Sequence, residues 1–119
     1  MQKSKVYDLK QRTFIFSVGT IKFLETLPND YISRIIGQQL LRAATSIGAN
    51  IIEAQAASSK KDFANYYNIA LKSANETKYW FLLLKSMNRG NKEESEKLLK
   101  EVDEICKILA KSLLTMRGK

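Results

Sequence analysis

The sequence predicts an all-α protein: one domain, residues 1–119, folded as an antiparallel up-and-down four-helix bundle. Proline occurs once and glycine five times, too little turn punctuation for a many-stranded β protein. Apolar residues recur three and four apart through four long segments. Clusters of capping and breaking residues separate those segments by only a few positions, which favours antiparallel neighbours. A chain of this length buries roughly two-thirds of the surface it would expose unfolded, enough for a single core.

The first helix is expected over about residues 8–27. Asp8 and Gln11 have the spacing of a capping box, and Leu27-Pro28 is a stop because proline pushes its predecessor out of helical geometry. Phe14, Val18, Ile21 and Leu24 form its expected seam, supported by Phe16, Phe23 and Leu27. The second helix, about 30–57, opens at Asn29-Asp30, and its expected seam runs Ile32, Ile36, Leu40, Ala43, Ile47 and Ile51 to Ala54.

Ser59 and Asp62 then cap the third helix, about 60–88, with Phe63, Tyr67, Ala70, Ala74, Phe81 and Leu84 on its inner face. Gly90 supplies a left-handed position beyond its end. Asn91 and Glu94 cap the fourth helix, about 91–116, whose seam is Leu98, Val102, Ile105, Leu109, Leu113 and Met116. The second helix is rich in small residues. Gly48 inside it costs about 1 kcal/mol relative to alanine, so another backbone should approach there, from the third helix or from a second subunit.

The formal net charge is +8 and is unevenly placed. Residues 1–90 hold thirteen basic and six acidic side chains, whereas residues 91–119 hold seven and six. In the last segment the acids lead, which complements a helix dipole and explains those charges locally. The excess in the first ninety residues has no such explanation. It suits an acidic partner such as RNA or DNA, although a soluble basic surface is the more frequent meaning of such a charge. Lys60, Lys61 and Lys72, with Lys78, Lys85 and Arg89 further along the third helix, are the expected phosphate contacts.

Several chemistries have no residues to carry them. There is no histidine, which removes the usual general base, most zinc sites and the Glu-x-x-His motif of di-iron bundles. The single cysteine, Cys106, lies beside an apolar seam and has no intrachain disulfide partner. No phosphate-binding glycine loop is present, and no window reaches the ~18 apolar residues of a membrane span. The expectation is a cytoplasmic, non-enzymatic protein with no metal, no cofactor and no membrane association.

One polar feature cuts across the apolar pattern. Arg42, Ser46, Asn50 and Glu53 fall at i, i+4, i+8 and i+11 within RAATSIGANIIE, one ridge along the second helix. Polar groups beside a core seam need partners. Glu53 sits about six residues before the turn and Glu76 about seventeen after it, so an antiparallel hairpin keeps the two carboxylates apart. The ridge is expected to lock helix register, with Glu53, Ser46 and Asn50 satisfying neighbouring helices and Glu76 pairing with Lys72, Arg42 or a backbone group.

RAATSIGANIIE and the following SSKKDFANYYNIALKSANETKYWFLLL resemble the four helix bundle proteins, also called 23S rRNA-intervening-sequence proteins. The resemblance runs from YDLKQRTF through the last helix. It rests on Arg42, Ser46, Ile47, Asn50 and Glu53, on the SKKDF start of the third helix and on the IALKSANE run ending at Glu76. Many members carry proline where this chain has Gly48 and glycine where it has Ala54. The resemblance implies a bacterial, ring-shaped homopentamer with a basic surface and no established catalytic site. It makes Arg42, Ser46, Asn50, Glu53 and Glu76 structural or assembly residues. It also brings in the accessory variability proteins of diversity-generating retroelements, which act with a reverse transcriptase and its RNA. Two readings stay open: an oligomer that binds nucleic acid, RNA before DNA, and a scaffold that docks a protein partner.

Overall fold

The computed structural model describes residues 5–118, with side chains from Leu9 to Arg117. Four helices form: α1 (Lys5–Leu24), α2 (Tyr31–Gln55), α3 (Lys60–Ser86) and α4 (Lys92–Gly118). Each packs on its neighbours in sequence and α1 closes on α4, so α1 and α3 occupy opposite corners of a body 47 × 29 × 21 Å in extent. The most extensive pairing is α2 with α3. Among the described residues, no helix is long and apolar enough to cross a membrane.

The caps explain the boundaries. The Asp30 carboxylate accepts from the Ser33 backbone N–H at 2.8 Å and starts α2; the Ser59 hydroxyl accepts from the Asp62 N–H at 3.0 Å and starts α3. The Asn91 side-chain oxygen accepts from the Glu94 N–H at 2.9 Å and starts α4. Each satisfies a backbone donor that the first helical turn leaves without an intrahelical partner. Three expected ends differ. Helix α1 finishes at Leu24, ahead of the expected stop at Leu27-Pro28. Helix α1 already begins at Lys5, so Asp8 lies inside it rather than at its cap, and its side chain is outside the described ones. The left-handed residue that ends α3 is Asn88, at φ 56°, not Gly90. The Arg89 N–H reaches the Leu84 carbonyl and the Asn88 N–H that of Lys85, the paired bonds of a Schellman ending.

The expected seams of α2, α3 and α4 are largely buried. Leu40, Ala43, Ile47, Ile51 and Ala54 meet Tyr67, Ala70, Ala74, Phe81 and Leu84, and Val102, Ile105, Leu109 and Leu113 close the core. Ile32 and Met116, at the outer ends of their seams, are exposed instead.

The expected α1 seam is wrong. Leu9, Phe16 and Phe23 are buried with Thr13 and Thr20, while Phe14, Val18 and Ile21 face outward. The threonines are the reason. Thr13 donates to the Leu9 carbonyl at 2.8 Å and Thr20 to the Phe16 carbonyl at 2.9 Å. A hydroxyl satisfied by its own helix can enter the core without an unpaired polar group, so it joins the apolar stripe. Phe16 and Phe23 then bracket Phe81 with ring centroids 6.3 and 5.2 Å away.

Gly48 also finds a different neighbour. A β-carbon there would lie 3.2 Å from Thr13 Oγ1, so the close approach is to α1 rather than α3. Gly90 has φ 83°, and a β-carbon on it would stand 2.6 Å from the Phe23 ring. Substituting Gly90 by alanine combines left-handed strain with that clash and should cost about 1–3 kcal/mol. Urea denaturation reads this directly, and an unchanged midpoint would contradict the packing of Phe23 beneath the turn.

Candidate functional site

The polar ridge closes onto α3. The Arg42 guanidinium pairs with the Glu76 carboxylate and also donates to Gln39 at 3.0 Å. Trp80 Nε1 donates to the same Glu76 oxygen at 2.9 Å. One turn along, the Ser73 hydroxyl donates to Ser46 Oγ at 3.0 Å, and Asn50 Nδ2 donates to the Ser46 carbonyl and hydroxyl at 2.8 and 3.1 Å. The Arg42–Glu76 and Ser73–Ser46 bonds span the two helices at a fixed offset and hold their register, whereas Asn50, expected to satisfy a neighbouring helix, bonds within α2. Glu76 takes Arg42 from among its expected partners.

Glu53 departs from its expected role. It is exposed and forms no ion pair among the described side chains, so it satisfies no neighbouring helix. The offset that sets Arg42 against Glu76 and Ser46 against Ser73 leaves Glu53 level with residues near Tyr66, well away from Glu76. Among the described residues, no three His, Cys, Asp or Glu side chains gather as a metal-binding group.

The six expected phosphate contacts separate into two groups. Lys78 pairs with Asp103 at 3.3 Å, Lys85 with Glu96 at 3.5 Å, and Arg89 with Asp30 at 3.0 Å while also donating to Ser33 Oγ at 3.1 Å. These three cations are committed to joining helices. Lys60, Lys61 and Lys72 are exposed and carry no ion pair among the described side chains.

Two of these carboxylates, Asp30 and Asp103, titrate low. The Ser33 backbone N–H, then its hydroxyl, then Arg89 hold Asp30 below its ordinary value of 3.8. Lys78 and Lys107 do the same for Asp103. In the core, burial pushes the Cys106 thiol up, consistent with an unreactive structural cysteine; the thiol donates to Asn75 Oδ1 at 3.7 Å. Burial likewise raises Tyr67, whose hydroxyl has no hydrogen-bond partner among the described residues.

The feature that reading the sequence missed is an apolar face. Phe14 is 69 % exposed, Ile15 61 %, Ile21 44 % and Val18 39 %, all on α1. Beside them on α2 lie Leu41 and Ile52, also exposed. Between the helices runs a groove of about 550 Å³ lined by Thr13, Phe14, Ser17, Gly48, Ala49 and Ile52. The signal was present: α1 carries apolar residues on more of its circumference than one core-facing stripe requires.

With this architecture in place, the sequence profile of the 23S rRNA-intervening sequence protein family matches residues 5–111. The chain belongs to that family. Among solved structures it is similar to a protein of unknown function from the S23 ribosomal protein family of Bacteroides thetaiotaomicron. The two are 38 % identical with a TM-score of 0.85, over 92 % of this chain and 98 % of that one. No curated protein matches the chain.

Two outcomes check this geometry. Arg42 and Glu76 are partly solvated, so a double-mutant cycle of Arg42→Ala with Glu76→Ala should give a coupling of only about 0.2–1 kcal/mol. A coupling well above that range would make the ridge a dominant stabiliser instead. The folded state holds Asp30 and Asp103 below their unfolded values, so their contribution is fully present above about pH 4 and is lost as pH falls through the lowered values. Acid unfolding should therefore move to higher pH in Arg89→Met, which removes one partner of Asp30.

Proposed function

We propose that this family member is a non-enzymatic building block that assembles with copies of itself, a pentamer being the favoured size, and binds nucleic acid, RNA before DNA. Assembly rests on the α1/α2 face. Six large apolar side chains stand exposed on α1 and α2, and Phe14 and Ile52 among them line the groove between the two helices. An exposed apolar groove with a polar rim is the kind of surface that a second protein chain covers.

Nucleic-acid binding rests on the net charge of +8. Each internal ion pair removes one charge of either sign, so the surplus stays on the surface. The names of the family and of its structural neighbour, a 23S rRNA-intervening sequence protein and an S23 ribosomal protein, support RNA over DNA as the polyanion. The alternative is a scaffold whose α1/α2 face docks a different protein.

Light scattering tests assembly: wild type should exceed the mass of one chain, and Phe14→Asp with Val18→Asp should return it to one chain while helical circular dichroism is retained. A monomeric wild type would leave the apolar face to another protein and support the scaffold. Filter binding at two salt concentrations tests the second half, since displaced counterions make backbone contacts weaken steeply with salt. A partner that survives nuclease treatment in a pull-down would favour the scaffold.

A further inference from the structure

The fold sorts the surplus charge in a way that the order of residues along the chain does not show. Because successive helices run in opposite directions, the beginning of α1, the α2–α3 turn and the finish of α4 meet at one end of the bundle. Three contacts set the register: Gly48 against Thr13, Ser46 against Ser73, and Cys106 against Asn75. Beyond all three, toward that end, stand Lys10, Lys60, Lys61, Lys111 and Arg117. Every one is exposed, and none forms an ion pair among the described side chains. The acids with described side chains there are only Glu53 and Asp62.

The opposite end is balanced. Its Lys85 and Arg89 are paired with Glu96 and Asp30. Its remaining cations, Lys22, Arg34, Lys92, Lys97 and Lys100, stand among Glu25, Glu93, Glu94 and the acids of α4 further along. The charge of the molecule is thus polarised along the helix axes, not spread along α3.

We infer that this basic end, centred on Lys60, Lys61, Lys111 and Arg117, is the site that takes the phosphate backbone of a nucleic acid. The inference rests on the nucleic-acid reading above and narrows it to one surface. Unpaired cations attract a polyanion without first giving up a partner, whereas Lys78, Lys85 and Arg89 would have to break ion pairs. The bundle is 29 × 21 Å in cross-section, so one end can follow several successive phosphates of a strand. The exposed tyrosines, Tyr31 and Tyr79, lie away from this end, at the start of α2 and far along α3. Among the described side chains no exposed tyrosine accompanies the cations, so binding there is electrostatic and indifferent to sequence.

The test uses two triple charge reversals that lower the net charge equally. One is Lys60→Glu, Lys61→Glu and Lys111→Glu at the basic end; the other is Lys22→Glu, Lys92→Glu and Lys97→Glu at the balanced end. Acidic residues in the first turn of a helix are favourable, so the changes at 60, 61 and 92 are compatible with folding. Circular dichroism and light scattering should match wild type for both proteins. The probe is a fluorescein-labelled single-stranded RNA of about 20 nucleotides, read by anisotropy between about 50 and 200 mM salt. The basic-end variant should lose at least about tenfold in affinity at the lower salt, with its log–log salt slope shallower by about two. The balanced-end variant should stay within about threefold of wild type. Equal losses in both variants would overturn the basic-end site while leaving nucleic-acid binding intact. Wild-type protein that fails to bind, or binds indifferently to salt, would overturn the nucleic-acid reading itself and the site with it.

Discussion

The register between α2 and α3 is the constraint on which the rest of this molecule depends. Leu40, Ala44, Ile47 and Ile51 on one helix and Tyr67, Ala70, Ala74 and Phe81 on the other fill the core between them. The Ser73–Ser46 hydrogen bond marks their offset at the surface. A slip along either helix would strand Ser46 and Ser73 and separate Arg42 from Glu76. It would also displace the face of α3 that meets α4, where Lys78 and Lys85 find Asp103 and Glu96. Apolar packing supplies most of the stabilisation. The polar ridge contributes chiefly by making other offsets costly, because partly buried hydroxyls and amides would lose their partners.

That register also divides the cations. Lys78, Lys85 and Arg89 lie within reach of the acidic first half of α4 and of the α2 cap, so they become ties between helices. Those at the other end meet almost no acids and remain available. The cations of this stretch therefore divide: Lys60 and Lys61 reach into solvent, whereas Lys78, Lys85 and Arg89 reach across the bundle to acidic partners. The apolar α1/α2 face is separate from both.

Much of the architecture was legible in the chain. Asp30, Ser59 and Asn91 announce helix starts because few other side chains satisfy the first free N–H groups so well. The seams of α2, α3 and α4 follow from apolar spacing, and the separation of Glu53 from Glu76 follows from hairpin arithmetic. The α1 seam was not legible. That helix offers two apolar stripes of similar quality, and the choice turned on Thr13 and Thr20, whose hydroxyls count as polar in a pattern but are silenced by carbonyls of their own helix. Asn88 replaced Gly90 at the end of α3 for a comparable reason: asparagine tolerates the left-handed region, and the packing of Phe23 beneath Gly90 decides where the turn falls.

By itself, then, the sequence determined four helices, their approximate limits, their antiparallel order and the family signature at Arg42, Ser46, Asn50, Glu53 and Glu76. Those are properties of spacing and local hydrogen bonding, which act within a few residues. Only the tertiary structure decided which stripe of α1 is inside, that Gly48 meets Thr13, which cations are tied and which are free, and that an apolar groove stays uncovered. Each of those depends on which distant residue arrives opposite. Helix packing sets that through shape and register, and neither is written in the spacing of any single helix.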